Sequence, residues 1–412
     1  MRFFSSPTGR CARAALASAA LSLLLVACGG GGDEPYEPGT GSPSGAPTTK
    51  GTFTAVVSFG DSLSDVGTYT PATVVPGTDP PVYFGGRFTT NIDGSFPTKT
   101  PIWVENIATA LSLVITPAEV GWSTQSVKCP AAAQGLGSTC TAYGQGGARV
   151  TDANGVRHAA GALTVPLKTQ IANHLGAFGS FKATDLVLVQ GGNNDAFNVM
   201  DPTQPDSFTV AAGTIQARAA AGAITAEQAT ALLFEARLQA QQRMKVAALE
   251  LGGYVRDQIL AKGARYVVVA NMPDLAVTPE GSAYPAAIRD VLSVLSQTFN
   301  LWLRESMVNQ PVMWVDTAAL VQAVVSKPSD YGMVNVSTPA CDATKMATVT
   351  GGAVTDGFSL FCNASGVAAL DGIRSGADIQ TWFFADGNHP TVGGHRVLSD
   401  AVLNQMRAAG WL

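Results

Sequence analysis

A serine attacks a carbonyl only when a base removes its proton, and the stretch Phe59-Gly60-Asp61-Ser62-Leu63-Ser64-Asp65-Val66-Gly67 presents one in a suitable setting. The apolar run Ala55-Val56-Val57 just before it has the composition of a buried strand, so Ser62 is delivered to a turn at the strand's end. Gly60 permits tight backbone geometry there, and open α/β sheets bind ligands at the carboxyl ends of their strands. Alone, Gly-Asp-Ser is ordinary turn chemistry. It gains weight from partners elsewhere in the chain.

The base must be one of four histidines, His158, His174, His389 and His395. Asp386 stands three residues before His389, and at the start of a helix this spacing sets the two side chains together. An aspartate against one imidazole nitrogen leaves the other free to take the serine proton. His158 falls in a Gly/Ala-rich loop, and His174 and His395 fall on helices; all three are expected to be structural. An oxyanion needs donors fixed in advance. Candidates are the Ser62 N–H, a glycine N–H of the Gly146-Gly147 loop, and the amide of an asparagine in Gly191-Gly192-Asn193-Asn194-Asp195. The glycine loop lacks both the dinucleotide-binding spacing and the P-loop lysine, which argues against phosphate.

These groups need a scaffold, and the chain alternates strands with helices. Continuous apolar runs at Asp185 to Gln190, Arg265 to Ala270 and Val312 to Val315 read as buried strands, the first two ending in polar turns. Helical patterns cover Pro101 to Leu113, Leu163 to Leu175, Ala226 to Lys262, Ala286 to Asn309, Thr317 to Ser326 and Thr391 to Ala409. Met244, Leu249 and Val255 read as core positions. The segments 68–99, 201–225 and 331–376 read as loops, the second with helical pieces. The alternation implies a mainly parallel sheet covered on both faces, with functional groups gathered at the strands' carboxyl ends. With no repeat and no change of composition after Lys50, residues 51–412 are expected to form one domain.

Arg2, Arg10 and Arg13 precede the apolar run Ala14 to Ala27, too short to span a bilayer, which reads as a secretory signal over residues 1–27. Its ending, Leu25-Val26-Ala27-Cys28, resembles a bacterial lipobox, so Cys28 is expected to carry lipid and to hold the protein at a membrane. Residues 28–50, rich in Gly, Pro, Ser and Thr, read as a tether. Loss of the signal removes three arginines and no acid, taking the net charge from −5 to −8. A moderately acidic chain without a basic run offers nothing to nucleic acid. Of six cysteines, four remain beyond Cys11 and Cys28. In an oxidising compartment they are expected to pair. Of three possible connectivities the sequence-local one, Cys129 with Cys140 and Cys341 with Cys362, staples two loops rich in Gly, Ser, Thr and Ala. A zinc site is disfavoured, since there is no C-x-x-C and no histidine near these cysteines.

Four blocks together resemble the GDSL esterases and lipases of the SGNH hydrolase superfamily: Gly60 to Leu63, Tyr143 to Ala148 (Y-x-x-G-G-A), Gly192 to Asp195 (G-x-N-D) and Asp386 to Pro390 (D-x-x-H-P). The resemblance runs from about Phe53 to the carboxyl terminus. It implies a flavodoxin-like three-layer α/β/α sandwich, Ser62 as nucleophile, His389 as base, Asp386 as its orienter, and Ser62, Gly147 and Asn194 as oxyanion donors, with no metal or cofactor. The glycine block departs from the family at Ala142, where an asparagine is common. The implied substrate is a carboxylic ester, its acyl and alcohol parts unspecified: members act on phospholipids, triglycerides, aryl esters and sugar acetates. An acyltransferase using the same site and a non-catalytic surface-binding lipoprotein are the alternatives.

Overall fold

The computed structural model describes residues 53–92 and 98–412. Residues 1–27 and 28–50, expected to be a signal and a tether, and with them Cys28, lie outside the described residues.

Among the described residues there are six strands: β1 (Ala55–Phe59), β2 (Glu119–Trp122), β3 (Gln125–Lys128), β4 (Asp185–Gln190), β5 (Tyr266–Ala270) and β6 (Met313–Val315). The four apolar runs pair in the order β1-β4-β5-β6, all parallel, with Val57 opposite Val187 and Val187 opposite Val267. Every residue of β4, β5 and β6 is buried, which explains why these strands read as unbroken apolar runs. Beyond β1 the sheet continues only as single bridges, Ser58 to Ala142 and Ala142 to Pro117.

Side chains alternate between the sheet's two faces. Val56, Leu186, Leu188, Val268, Met313 and Val315 share one core with Ile107 from the Trp103–Ala110 helix, with Ile102 just before it, and with Val402 and Met406 from the Val392–Ala408 helix. The intervening residues, such as Val57, Val187 and Val267, are equally buried and face the other way. On that side the Leu167–Phe178 helix packs against β1, and the helices Ala226–Tyr254 and Ala286–Met307 pack along each other. The result is an α/β/α sandwich with a parallel central sheet.

Several expectations are corrected. Asp386 and His389 precede the Val392–Ala408 helix and lie on a tight turn, so helical spacing is not what joins them. Met244 and Val255 are core, but Leu249 is 39% exposed. The loop 201–225 contains a full helix, Phe208–Ala220, capped by Ser207. Segment 331–376 carries the short helix Ala343–Val349, capped by Asp342. The antiparallel β2–β3 hairpin carries no strong strand pattern: β3, Gln-Ser-Val-Lys, is exposed throughout.

Both disulfides take the sequence-local pairing, Cys129 with Cys140 and Cys341 with Cys362.

Candidate active site

The polar turns after β1 and β4 meet the Asp386-to-His389 turn on one rim of the sheet. After β1 the chain enters a single 3-10 turn, Ser62–Ser64, capped by the Asp61 carboxylate, which accepts from the Leu63 N–H at 3.1 Å. Gly60 is required at the approach, since a Cβ there would lie 2.9 Å from the Gln190 carbonyl oxygen. This turn aims Ser62 Oγ at His389 Nε2, 2.9 Å away. On the other side of the ring Nδ1 lies 2.9 and 2.8 Å from the two Asp386 oxygens. The Asp386 turn is closed on itself, Oδ1 accepting the N–H groups of Asn388 (2.9 Å) and His389 (2.8 Å). Oδ2 accepts the Ser359 N–H at 2.9 Å.

Electrostatics follow from these contacts. Burial alone would raise the Asp386 pKa, but the His389 charge and the donated hydrogen bonds from His389, Ser359 and Asn388 override it and hold the carboxyl below the usual carboxylate range. For His389 burial favours the neutral ring, yet the Asp386 charge and hydrogen bond outweigh it, with smaller help from Asp61 and Glu280, and the pKa is raised. A hydroxyl on one imidazole nitrogen and a buried carboxylate on the other is an arrangement that can move a proton off serine and stabilise the imidazolium that results.

The three candidate oxyanion donors border the same cleft as Ser62 and His389. Asn193 does not join them: its amide turns back to donate to Asp61 at 3.0 Å. Asn194 Nδ2 is held by the Ala148 carbonyl at 2.9 Å, which leaves its second N–H for a ligand. The two glycines likewise separate. Gly146 N–H is committed to the Asp65 carboxylate at 2.8 Å, whereas Gly147 N–H has no protein acceptor among the described residues. Gly147 has φ +79°, and a Cβ there would meet the Val156 carbonyl oxygen at 2.2 Å, so only glycine fits.

Two carboxylates beneath the site have no role in the sequence reading. Asp65 also accepts from Gly67 and Thr68, tying the serine turn to the glycine loop, and burial pushes its pKa up to about 6. Asp195 accepts from Val150 N–H at 3.0 Å and pairs with Arg149 at 3.3 Å; burial raises it to about 6 as well. Asp65 lies five residues from Gly60 inside the serine block, and Asp195 closes the G-x-N-D block, so their positions were visible but not their partners. Ser359 contributes through its backbone, which no residue type announces.

The remaining histidines stand apart from this chain of hydrogen bonds. His174 is stacked on Phe181 with ring centroids 4.4 Å apart, and burial lowers it to about 4. His395 accepts from Trp103 N–H at 3.4 Å and is lowered by burial to about 3. His158 Nδ1 lies 2.9 Å from Thr164 Oγ1.

The cleft over Ser62 encloses about 870 Å³. One wall is aromatic, formed by Tyr69, Phe88, Trp122 and Phe358, with Phe88 5.1 Å from the His389 ring. The other is largely aliphatic, with Met200, Leu275, Ile288 and Leu292 beside Phe197. Of the segments read as loops, 68–99 supplies Tyr69 and Phe88 to this cleft, and 201–225 supplies Asp201, Pro202 and Thr209.

A nucleophile turn after the first strand, a glycine loop and an asparagine beside it, and a base near the carboxyl terminus define a hydrolase site on a parallel α/β/α scaffold. Residues 56–402 match the family model described as GDSL-like Lipase/Acylhydrolase, and the chain belongs to this family. It is a hydrolase of the esterase/lipase kind. No curated protein matches the chain.

Proposed function

We propose that this protein hydrolyses uncharged carboxylic esters through an acyl-enzyme on Ser62. The observation that carries the reading is the unbroken chain from Ser62 Oγ through His389 to Asp386, 2.9 Å on one side of the ring and 2.8 Å on the other. His389 takes the Ser62 proton as Oγ attacks the ester carbonyl, and the carbonyl oxygen, now negative, rests against the N–H groups of Ser62, Gly147 and Asn194. The imidazolium then protonates the departing alcohol. Water, deprotonated by the same ring, releases the acid.

The cleft lining supports an uncharged substrate with apolar groups on both sides of the ester. Its one cation among the described residues, Arg157, is engaged by Asp356 at 2.8 Å and lies 4.0 Å over the Phe358 ring, while Asp201 and Glu280 add negative charge. A phosphate or a free carboxylate would meet no unpaired cation there. For the amino terminus the proposal is lipidation at Cys28 and residence at the cell envelope. Metabolic labelling with palmitate, lost in Cys28→Ser, tests it.

The test of the activity is hydrolysis of 4-nitrophenyl butyrate by residues 51–412 beside the Ser62→Ala variant. Turnover that vanishes with the hydroxyl supports the acyl-enzyme route; turnover that survives in Ser62→Ala contradicts it.

A further inference from the structure

The turn that carries Asp386 and His389 is gripped from outside by a segment that follows β5. Glu280, on the short helix Pro279–Ala283, donates its backbone N–H to the Gly387 carbonyl at 3.0 Å. Its carboxylate accepts from the Asn388 side-chain amide, and the other end of that amide meets Thr278 Oγ1 at 3.1 Å. Tyr284 OH donates to the second Glu280 oxygen at 3.3 Å. Approach is close enough that a Cβ on Gly387 would stand 2.9 Å from Glu280 Cβ, so the fit needs glycine at this place in the turn. Asn388 is thus held at both ends of its amide, while its backbone N–H supports Asp386 Oδ1 at 2.9 Å. The line of contact runs from Thr278 and Glu280 through Asn388 to Asp386 and on to His389.

We propose that Glu280, together with Thr278, is a positioning residue for this site: it clamps the Gly387-Asn388 pair so that Asp386 faces the imidazole, and its carboxylate at the cleft wall favours the imidazolium formed when Ser62 attacks. The inference rests on the esterase reading above. A carboxylate beside the cleft acts through charge on the ring as well as through the clamp, and the two effects separate in different variants. The charged groups that bear on His389 are Asp386 and Asp61, with Glu280 from the segment after β5, while His395 on the following helix is a titratable neighbour that burial keeps neutral.

Glu280→Gln keeps an acceptor for the Asn388 amide and loses the charge; Glu280→Ala loses both. With 4-nitrophenyl butyrate, Glu280→Gln is expected to move the acid limb of the kcat/KM profile to lower pH, because a neighbour that favours the protonated ring is gone. Glu280→Ala is expected to lose about tenfold in kcat with KM unchanged, since misplacement of the base costs rate while the apolar walls stay as they were. A Glu280→Gln profile that superimposes on wild type, or a Glu280→Ala kcat within about twofold of it, overturns the proposal. The Glu280→Gln profile decides even where the alanine variant folds poorly. Ser62→Ala runs in parallel: turnover surviving there sinks the esterase reading itself, whereas loss there beside unaltered Glu280 variants sinks only the clamp.

Discussion

The two disulfide-stapled loops look alike in sequence and differ in what they touch. Cys129 and Cys140 close eleven positions of chain just past the β2–β3 hairpin, a segment that is mostly exposed and borders none of the cleft over Ser62. Cys341 and Cys362 close twenty-one positions whose far end is buried against the site. That loop supplies Ser359 N–H to Asp386 and the Phe358 ring to the cleft wall. It is in turn pinned by Asn91, which accepts the Ala364 N–H at its backbone carbonyl at 2.6 Å, donates its own N–H to the Cys362 carbonyl at 2.8 Å and donates its side-chain amide to the Ser359 carbonyl at 3.1 Å. A covalent staple therefore has two uses here. One secures a surface turn; the other secures the support of the base.

The largest effect is expected at Asp386 itself. Asp386→Asn leaves the Ser359 loop in place and removes the charge it supports, and kcat should fall by about 10⁴ as the imidazole loses its correct tautomer. Next comes the paired variant Cys341→Ser with Cys362→Ser, in which Ser359 is less firmly held. It should lose about 3 kcal/mol of stability by loop entropy and about tenfold in kcat on 4-nitrophenyl butyrate. The matching pair Cys129→Ser with Cys140→Ser opens a loop about half as long, and because loop entropy grows only with the logarithm of length it should lose a similar amount, about 3 kcal/mol, while kcat stays within about twofold of wild type. Chemical denaturation and steady-state kinetics on the same samples check both; equal loss of kcat in the two pairs would erase the distinction.

The smallest effect is in pH. His389 has a raised pKa because of Asp386, and the neutral ring is the one that takes a proton, so wild-type activity should rise with pH through a midpoint above the ordinary imidazole value of about 6.5. Loosening Asp386 through the Cys341–Cys362 pair should bring that midpoint down, and opening the Cys129–Cys140 pair should leave it where it was. A pH–rate profile of each variant reads the difference.

Much of this was legible in the chain. The four strands of the sheet announce themselves because burial on both faces leaves no polar alternation, and Thr317–Ser326 has the bounds its pattern gives. Ser62, Asp386, His389, Gly147 and Asn194 border one cleft, and Asn193 turns away to Asp61. What stayed hidden works through the backbone or across long distances. Ser359 supports Asp386 with an N–H that every non-proline residue has. Glu280 stands 108 positions before Asn388 and acquires meaning only when β5 brings the two turns together. Asp386 and His389 meet through a turn closed by the aspartate itself, where a helical register had been the expectation. The exposed strand β3 carries no apolar signal, and its pairing is fixed by the hairpin.

Covalent trapping distinguishes Ser62 from every other candidate nucleophile in the chain. The protein should be treated with a fluorophosphonate at neutral pH and its tryptic peptides weighed. One adduct is expected, on the peptide containing Ser62, forming together with the loss of 4-nitrophenyl butyrate hydrolysis and absent from His389→Ala on the same time scale. Full loss of hydrolysis with the adduct on any other residue, or hydrolysis that continues with Ser62 fully modified, would contradict Ser62 as the nucleophile.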